Sequence, residues 1–258
     1  MAEPMIELRG VSKSFDGGRT HAVGPIDLVV EAGAFVALVG GSGSGKTTTL
    51  KMINGLVRPD AGVVRVAGQL ADAKPPHELR REIGYVFQEI GLFPHLTVAE
   101  NIGITPKLTG QPKAAIAARV DELLDLVSLP RAFAGRRPAE LSGGQRQRVG
   151  VARALAAAPK LMLMDEPFGA LDPLTRDALG QEYRALHERL GLTTLMVTHD
   201  ITEAVLLADR MVIMADGKVR AEGAPAALLA SDDAAVRGLL ETPRRQAERV
   251  RVRLEAGA

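Results

Sequence analysis

The sequence contains no cysteine, which excludes disulfide bonds, zinc sites built on thiolates and a cysteine nucleophile. It also lacks an uninterrupted apolar run near the roughly eighteen residues that a membrane-spanning helix needs. Its longest apolar stretches are broken by charged residues, namely Glu31, Arg153, Lys160 and Asp209. The N-terminal MAEPMIELRG has an early acid and no apolar segment, so we predict no secretory signal there.

An excess of either charge is missing as well. The chain has 32 Lys plus Arg against 31 Asp plus Glu, a formal net charge of +1. No overall field attracts a polyanion, so we expect no nucleic-acid partner. A hydrophobic content of 46% in 258 residues is typical of a globular protein that buries a large core, as one domain or two joined lobes.

A glycine-rich loop follows the apolar run FVALV. The spacing of Gly40, Gly45, Lys46 and Thr47 fits G-x-x-x-x-G-K-[ST], whose inward-turned N–H groups and helix start hold phosphates. A plain Gly/Ser turn between a strand and a helix is the alternative. Because a strand precedes the loop and TTTLKMINGL can continue as a helix, we predict a nucleotide phosphate site. Its residues are Gly40, Gly41, Ser42, Gly43, Ser44, Gly45, Lys46, Thr47 and Thr48.

A second apolar strand, LMLMD, ends in two adjacent carboxylates, Asp165 and Glu166. Mg²⁺ takes hard oxygen ligands, commonly one or two carboxylates with waters and phosphate oxygens. We therefore predict that Asp165 and the Thr47 hydroxyl hold Mg²⁺, and that Glu166 orients or deprotonates an attacking water. The alternative is that the acids cap a helix beginning near Pro167.

The segment LSGGQ, residues 141–145, precedes a predicted helix and forms a second anion site. One chain need not bring two phosphate-binding helix starts, far apart in sequence, to the same nucleotide. We therefore expect a two-fold dimer in which each LSGGQ closes over the γ-phosphate held by the other chain. The residues concerned are Ser142, Gly143, Gly144 and Gln145.

Strands and helices alternate along the chain, which predicts an α/β fold with a mostly parallel sheet. We expect an antiparallel β portion at the N-terminus and a helical lobe inserted at approximately residues 90–158. The nucleotide-binding domain is predicted over residues 5–240 and a short basic tail over 241–258. The tail either meets anionic lipid or a partner, or is a solvated, frayed helix.

With these motifs in this order, the sequence resembles the ATP-binding cassette (ABC) family, the motor subunits of ABC transporters, over about residues 5–225. GGSGSGKT resembles Walker A, LMLMDEP resembles Walker B, and LSGGQ is the family signature. Gln88 in YVFQE resembles the Q-loop glutamine, Asp172 in ALDP the D-loop aspartate and His199 in VTHD the switch histidine. Phe15 in VSKSF lies where the family stacks an aromatic ring on adenine.

The resemblance implies a fold, the P-loop NTPase core of an ABC nucleotide-binding domain, and a role for each matched residue. Lys46 bridges the β- and γ-phosphates of ATP; Thr47, Asp165 and Gln88 hold Mg²⁺; Glu166 is the catalytic base or positions the water; His199 contacts the γ-phosphate; and Ser142 with Gly144 contacts it from the second copy. Taken singly, other readings remain open for four of the matched residues. His199 fits a capping or core histidine, Gln88 a solvated loop residue, Phe15 a core aromatic, and Asp172 an N-cap of the helix starting at Pro173.

The resemblance also implies partners. We expect membrane permease subunits, a solute-binding protein acting through them, and a location on the cytoplasmic face of the membrane. The apolar loop EIGLFPHLTVAENI is a candidate permease contact; the alternative is that Leu92, Phe93 and Leu96 pack inward. IGLFPHLTVAENI and DPLTRDALGQEY are most similar to ATPases of osmoprotectant importers, with an amino acid or polyamine as the alternative cargo.

Two other classes of protein fit the sequence less well. A non-transport ABC ATPase would normally show tandem cassettes, long heptads, zinc cysteines or a basic face. An unrelated P-loop kinase or GTPase leaves LSGGQ unexplained.

Overall fold

The computed structural model describes residues 4–255, and within them the chain forms ten strands. In chain order the strands are β1 (Pro4–Lys13), β2 (Val23–Glu31), β3 (Phe35–Val39), β4 (Ala61–Val66), β5 (Gln69–Leu70), β6 (Ile83–Val86), β7 (Leu161–Asp165), β8 (Thr193–Thr198), β9 (Arg210–Ala215) and β10 (Lys218–Gly223).

Ten α-helices lie in the same described part of the chain. They are α1 (Lys46–Ile53), α2 (Pro76–Glu82), α3 (Val98–Ile102), α4 (Ile104–Leu108), α5 (Lys113–Leu126), α6 (Gly143–Leu155), α7 (Pro173–Leu190), α8 (Ile201–Leu207), α9 (Pro225–Leu229) and α10 (Ala234–Glu255). None of these helices is long and apolar enough to cross a membrane.

The strands form two sheets. The first is antiparallel in the order β2-β1-β4-β5, and the second has the order β10-β9-β3-β8-β7-β6. Neighbours in the second sheet run parallel, except that β10 pairs antiparallel with β9 across the Asp216–Gly217 turn. The predicted α/β fold, with its mostly parallel sheet and antiparallel N-terminal portion, is confirmed.

The central strand β3 is buried along its whole length. Val36 and Leu38 face an apolar cluster shared with the antiparallel sheet and α1. Phe35, Ala37 and Val39 face a second cluster shared with the helices on the other side. A parallel strand covered on both faces reads as a continuous apolar run, which is why FVALV shows no alternation.

Parallel pairing brings the carboxyl ends of β3, β6, β7 and β8 to one edge of the sheet. The segments that leave this edge contain the glycine-rich loop, Gln88, Asp165–Glu166 and His199. Open α/β sheets bind ligands at the carboxyl ends of their strands. The topology therefore gathers the sequence motifs at the place where such a sheet holds a ligand.

The helical lobe contains more breaks than its sequence periodicity indicates. Within the lobe predicted at approximately residues 90–158, the first helical stretch is divided into α3, α4 and α5, with interruptions at Gly103 and at the turn Thr109–Pro112. The lobe nevertheless begins at Thr97, where the side chains of Thr97 and Glu100 form a reciprocal capping box.

The C-terminal helix α10 runs across the predicted domain boundary at residue 240. Val236 and Leu240 on its first half are buried in the main core cluster. Val250 and Val252 further along are exposed. The part of the predicted tail up to residue 255 is therefore helical, and residues 256–258 lie outside the described residues.

Candidate nucleotide-binding and catalytic site

The glycine-rich loop encloses the ammonium group of Lys46, the first residue of α1. Its Nζ donates hydrogen bonds to the main-chain oxygens of Gly40 and Gly41, each at 2.8 Å. Only 6% of Lys46 is exposed; burial lowers the pKa of this lysine, and the nearby carboxylates of Asp165 and Glu166 oppose that shift. The positive charge is thus held inside the loop.

Close packing explains one glycine of this loop. A Cβ at Gly40 would lie 2.2 Å from the main-chain oxygen of Met214 on β9 and 2.7 Å from the Ser44 hydroxyl. Any side chain at that position would push the loop away from the sheet. The glycine therefore seats the loop directly against β9.

Thr47 and Asp165 meet across the edge of the sheet. The Thr47 Oγ1 donates to Oδ1 of Asp165 at 2.9 Å, although the two residues belong to α1 and β7. Burial raises the pKa of Asp165, while the Thr47 hydrogen bond acts in the opposite direction. The result is a pair of hard oxygen donors beside the phosphate loop.

These donors fit Mg²⁺ that is shared with a phosphate. No cluster of three or more His, Cys, Asp or Glu side chains suited to a metal occurs in residues 4–255. A protein cage for a metal is thus absent from the described part of the chain. Mg²⁺ commonly uses one or two carboxylates and completes its shell with water and phosphate oxygens, which suits the Thr47–Asp165 pair.

Two further predicted residues, Gln88 and His199, both approach the carboxylate of Glu166. Its Oε2 accepts a hydrogen bond from Nε2 of Gln88 at 3.3 Å, and Nδ1 of His199 lies 3.1 Å from the same oxygen. The backbone of Glu166 has φ 45°, in the left-handed region, and its N–H donates to the oxygen of Val197 on β8. Such a conformation costs about 1–3 kcal/mol and is concentrated at active sites.

The capping alternative for the two acids is wrong. No helix begins near Pro167 in the described structure; a turn follows β7, and α7 begins at Pro173. The two carboxylates therefore project from the end of β7 rather than from a helix start. His199 and Gln88 are exposed apart from their contacts with Glu166, so neither is a core residue.

Phe15 is 65% exposed, so the core-aromatic alternative is also wrong. The residue lies in the segment between β1 and β2, and Nζ of Lys13 lies 5.4 Å from the centre of its ring. An exposed ring with a free face can stack on a planar base.

The LSGGQ segment forms the start of α6 as predicted. The Ser142 hydroxyl accepts from the Gln145 N–H at 3.2 Å, and the Gln145 side chain accepts from the Ser142 N–H at 2.9 Å. Within residues 4–255, these two side chains make no hydrogen bond to the glycine-rich loop. In a single chain the two predicted anion sites are not brought together.

Asp172 similarly serves its own helix in this single chain. Its Oδ1 accepts from the Thr175 N–H at 3.1 Å and caps α7, and the hydrogen bonds with Thr175 lower the pKa of Asp172. This is the N-cap arrangement that the sequence left open. A nucleotide-binding role for Asp172, as the residue that resembles the D-loop aspartate, stays a prediction.

Arg153 on α6 was not identified from the sequence. Its two terminal nitrogens donate to the main-chain oxygens of Gly91 and Ile90, each at 2.6 Å. Burial lowers the pKa of this guanidinium. Arg153 thus binds the segment after Gln88 to the LSGGQ helix. Nothing in the pattern GQRQRVGVARAL separates it from Arg146 and Arg148, which bind main-chain oxygens outside α6.

In the apolar loop after Gln88, some side chains pack inward and one is exposed, so each of the two alternatives holds for part of the loop. Leu92 is half-buried and packs on the main core cluster, and Leu96 is also half-buried. Phe93 is 41% exposed and lines a groove of about 600 Å³ between the sheet and the helical lobe. The other apolar or aromatic residues that line this groove are Leu56, Ile83, Tyr85, Phe87, Ile104, Leu108, Ala154 and Ala157.

Comparison with known proteins finds a match to a family profile and to solved structures. The profile described as ABC transporter matches residues 23–169, more than half of the chain. Two dimeric structures of the cassette MJ0796 superpose with a TM-score of 0.77; the match covers 85% of this chain and 98% of each MJ0796 chain, at 35% and 36% identity. One of these structures is described as a post-hydrolysis state bound to ADP and Pi.

Curated relatives share about half of their residues with this chain. The glycine betaine/carnitine/choline transport ATP-binding protein OpuCA of Bacillus subtilis is 50% identical over 87% of this chain and 59% of its own length. The glycine betaine uptake system ATP-binding protein YehX of Escherichia coli is 52% identical over 87% of this chain and 72% of its own. The chain spans about three fifths of the length of the first of these relatives.

Proposed function

The chain belongs to the ABC transporter family, and from that premise we propose that it is the ATP-hydrolysing subunit of an importer. The observation that carries this proposal is the convergence of Gln88 and His199 on Glu166, beside the Thr47–Asp165 pair. Transfer of a phosphoryl group to water depends mainly on positioning and on stabilising charge. Donors gathered around one carboxylate at a phosphate loop supply both.

ATP is the proposed substrate of the glycine-rich loop. The N–H groups of the loop and the α1 start would hold its phosphates, and Lys46 would exchange its bonds to Gly40 and Gly41 for bonds to phosphate oxygens. The exposed ring of Phe15 is the proposed stacking surface for the base.

Mg²⁺ is the proposed cofactor, held by Thr47 and Asp165 with Gln88. The bound ion would neutralise phosphate charge in the transition state. The 2.9 Å approach of Thr47 to Asp165 supports the first two ligands. For Gln88 the structure offers an amide that is exposed and close to Glu166.

Glu166 is the proposed base or water-positioning residue. Its carboxylate stands at the end of β7, one residue beyond the proposed magnesium ligand Asp165, and can accept a proton or hydrogen bond from water. His199 lies beside it and is the proposed contact to the γ-phosphate.

A second copy of the chain is the proposed partner that completes the site. Ser142 is exposed at the start of α6, the two glycines after it are half-buried, and the Ser142 side chain makes no hydrogen bond to the glycine-rich loop of its own chain within residues 4–255. In a head-to-tail pair, this helix start would face the γ-phosphate held by the other copy. The dimeric MJ0796 cassettes support such an arrangement.

Permease subunits are the proposed membrane partners, with a solute-binding protein acting through them. The groove that contains Phe93 has apolar walls and an open mouth between the two lobes, a shape suited to an amphipathic helix. Docking there would hold the chain against the cytoplasmic face of the membrane. Arg153 lines the groove and binds the segment after Gln88. Movement of a docked helix would therefore be transmitted to Gln88.

The proposed cargo is an osmoprotectant of the quaternary-amine class. Relatives named for glycine betaine, choline or carnitine transport are 50–52% identical over most of this chain. Relatives named for spermidine/putrescine and sulfate/thiosulfate import follow at 47% and 48%. Those names keep a polyamine as the second candidate.

The experiment is the substitution Glu166→Gln. The amide keeps the size of the side chain but cannot act as a base, so we expect ATP affinity to be retained, hydrolysis to stop and the ATP-bound dimer to persist. Gel filtration with ATP and Mg²⁺, together with phosphate release, measures both effects.

Two variants make the result specific. Lys46→Ala should lose ATP affinity and stay monomeric, whereas Glu31→Gln, at an exposed position on β2, should behave as the wild type. A Glu166→Gln chain that hydrolyses ATP at the wild-type rate would contradict the role of Glu166. A chain that remains monomeric with ATP would contradict the shared site.

A further inference from the structure

A single arginine joins the two segments that lie on either side of Glu166. Arg176 lies one turn into α7, and its side chain is 28% exposed. Its Nη2 donates to the main-chain oxygens of Gly169 and Leu171, at 3.3 and 3.1 Å. Both oxygens belong to the turn between Glu166 and α7. One side of the guanidinium is therefore fixed to the segment that follows Glu166.

The other side of the same guanidinium binds Asp200. Nη1 of Arg176 donates to Oδ2 of Asp200 at 2.9 Å. The second oxygen of Asp200 accepts from the N–H groups of Thr202 and Glu203, at 2.8 and 3.2 Å, and so caps α8. One carboxylate thus anchors the start of α8 and the arginine at once.

Asp200 also fixes the segment before it. Its N–H donates to the Thr198 hydroxyl at 3.0 Å, so the main chain turns sharply around His199. His199 itself has Nδ1 3.1 Å from Oε2 of Glu166. These contacts form a closed ring. The main chain leads from Glu166 to the turn that Arg176 binds, Arg176 binds Asp200, and the neighbouring His199 lies against Glu166.

We propose that Arg176 and Asp200 form a positioning pair that sets the distance between Glu166 and His199 and links it to the turn ending at Asp172. This inference rests on the proposed function, because it assigns a role in ATP hydrolysis. Neither residue touches the reacting atoms; both act through the main chain of the catalytic segments.

The chemistry of arginine suits this task. Its planar fork donates several hydrogen bonds in fixed directions, so one residue holds two carbonyl oxygens and a carboxylate together. A lysine ammonium is a point charge on a flexible stem and would not hold the same three acceptors in the same geometry. The conservative replacement should therefore keep the charge and lose the positioning.

Two variants test the pair without removing the fold. Arg176→Lys keeps a cation on α7. Asp200→Asn keeps an oxygen to cap α8, since asparagine is as good an N-cap as aspartate, but it loses the negative charge that binds Arg176. For each we expect kcat for ATP to fall at least about tenfold, because small misplacement of catalytic groups is costly, with KM for ATP within about twofold of wild type.

Arg184 provides the matched control on the same helix. It also binds a main-chain oxygen, that of Leu207, and the carboxylates of Asp209 and Glu188, but in the described structure it has no hydrogen bond to the turn or to the His199 segment. Arg184→Gln should lower the melting temperature as much as or more than Arg176→Lys, with kcat close to wild type. Amide hydrogen exchange at residues 198–200 should speed up in Arg176→Lys and not in Arg184→Gln.

A double-mutant cycle completes the test. If the pair acts as one unit, Arg176→Lys combined with Asp200→Asn should lower kcat no further than either change alone. An active wild-type chain whose Arg176→Lys variant keeps its kcat, or loses kcat only in proportion to Arg184→Gln, would overturn the positioning role. A wild-type chain without ATP hydrolysis would instead overturn the proposed function.

Discussion

Behind the His199 segment, the carboxyl group of Glu203 is almost completely removed from water. Only 9% of the residue is exposed, and Oε1 has no hydrogen-bond partner in the described part of the chain. Burial raises the pKa of Glu203 to about 7. A hydrogen bond from Thr198 opposes the rise, Asp200 adds to it, and Arg176 and His199 oppose it. A proton is therefore held on this side chain more tightly in the folded chain than in the unfolded one.

This raised pKa predicts a loss of stability with rising pH. Between the ordinary pKa of 4.5 and about 7 the folded state binds more protons than the unfolded state, so stability falls as pH rises through that interval. Glu203→Gln removes the effect. We therefore expect the free energy of unfolding of Glu203→Gln, relative to that of the wild type, to increase between pH 5 and pH 8 by up to about 3 kcal/mol.

Urea unfolding at several pH values measures this difference. Glu31→Gln, at an exposed position, is the control and should show no such trend. A Glu203→Gln difference that is constant across the pH range would contradict the raised pKa.

Among the helices, α7 has limits that local sequence signals mark at both ends. The stretch PLTRDALGQEYRALHERL corresponds to the observed Pro173–Leu190. Asp172 caps its start, and Gly191 ends it with φ 60°. Such end signals act within one turn of the chain and need no tertiary partner.

The end of α7 provides a prediction at the same scale. A Cβ at Gly191 would meet no atom within 4 Å, so Gly191→Ala should cost only the strain of a left-handed alanine, about 1 kcal/mol. Thermal or urea unfolding measures this loss.

Gly135 is the matched control for that substitution. A Cβ there also meets open space, but its backbone lies outside the left-handed region. Gly135→Ala should be neutral or stabilising, because it restricts the unfolded chain. Equal destabilisation by both changes would contradict this account.

Elements that depend on distant contacts were predicted less well. The helical lobe is divided into short helices because buried residues such as Ile102 and Val120 must face one core from different directions. The helix α2 and the full extent of α10 likewise depend on packing. Periodicity indicates that such segments are helical, but it does not locate their breaks.

At the scale of the whole molecule, the chain has two helix starts that the sequence predicts to bind anions, and one copy does not bring them together. The LSGGQ residues hydrogen-bond to each other, and the glycine-rich loop to Lys46. A closed two-fold assembly would bring each start to the loop of the other copy. Turnover should then depend on Ser142 even though ATP binds elsewhere.

Ser142→Asp tests this dependence. Aspartate caps a helix as well as serine does, so the fold and the ATP affinity of the single chain should be unchanged. The added negative charge would face the γ-phosphate held by the other copy. We expect ATP hydrolysis to fall by about a hundredfold or more, the typical effect of losing one such donor.

Ser142→Asn is the companion variant, because it keeps the cap without adding charge. It should retain much more activity than Ser142→Asp. Hydrolysis at the full wild-type rate by Ser142→Asp would show that a single copy is sufficient and would end the shared-site proposal.

The sequence by itself determined the glycine-rich loop, the two carboxylates at the end of β7, the LSGGQ helix start and the alternating α/β order. Each of these follows from residue types at a local spacing, because turns, caps and apolar runs act within a few residues. Only the tertiary structure brought Gln88 and His199 to Glu166, since that meeting depends on which parallel strands lie side by side. It also decided that Arg153 and Arg176 bind other segments of the chain and are not solvated side chains. Their partners are main-chain oxygens and a carboxylate on other segments, and no local pattern records such contacts.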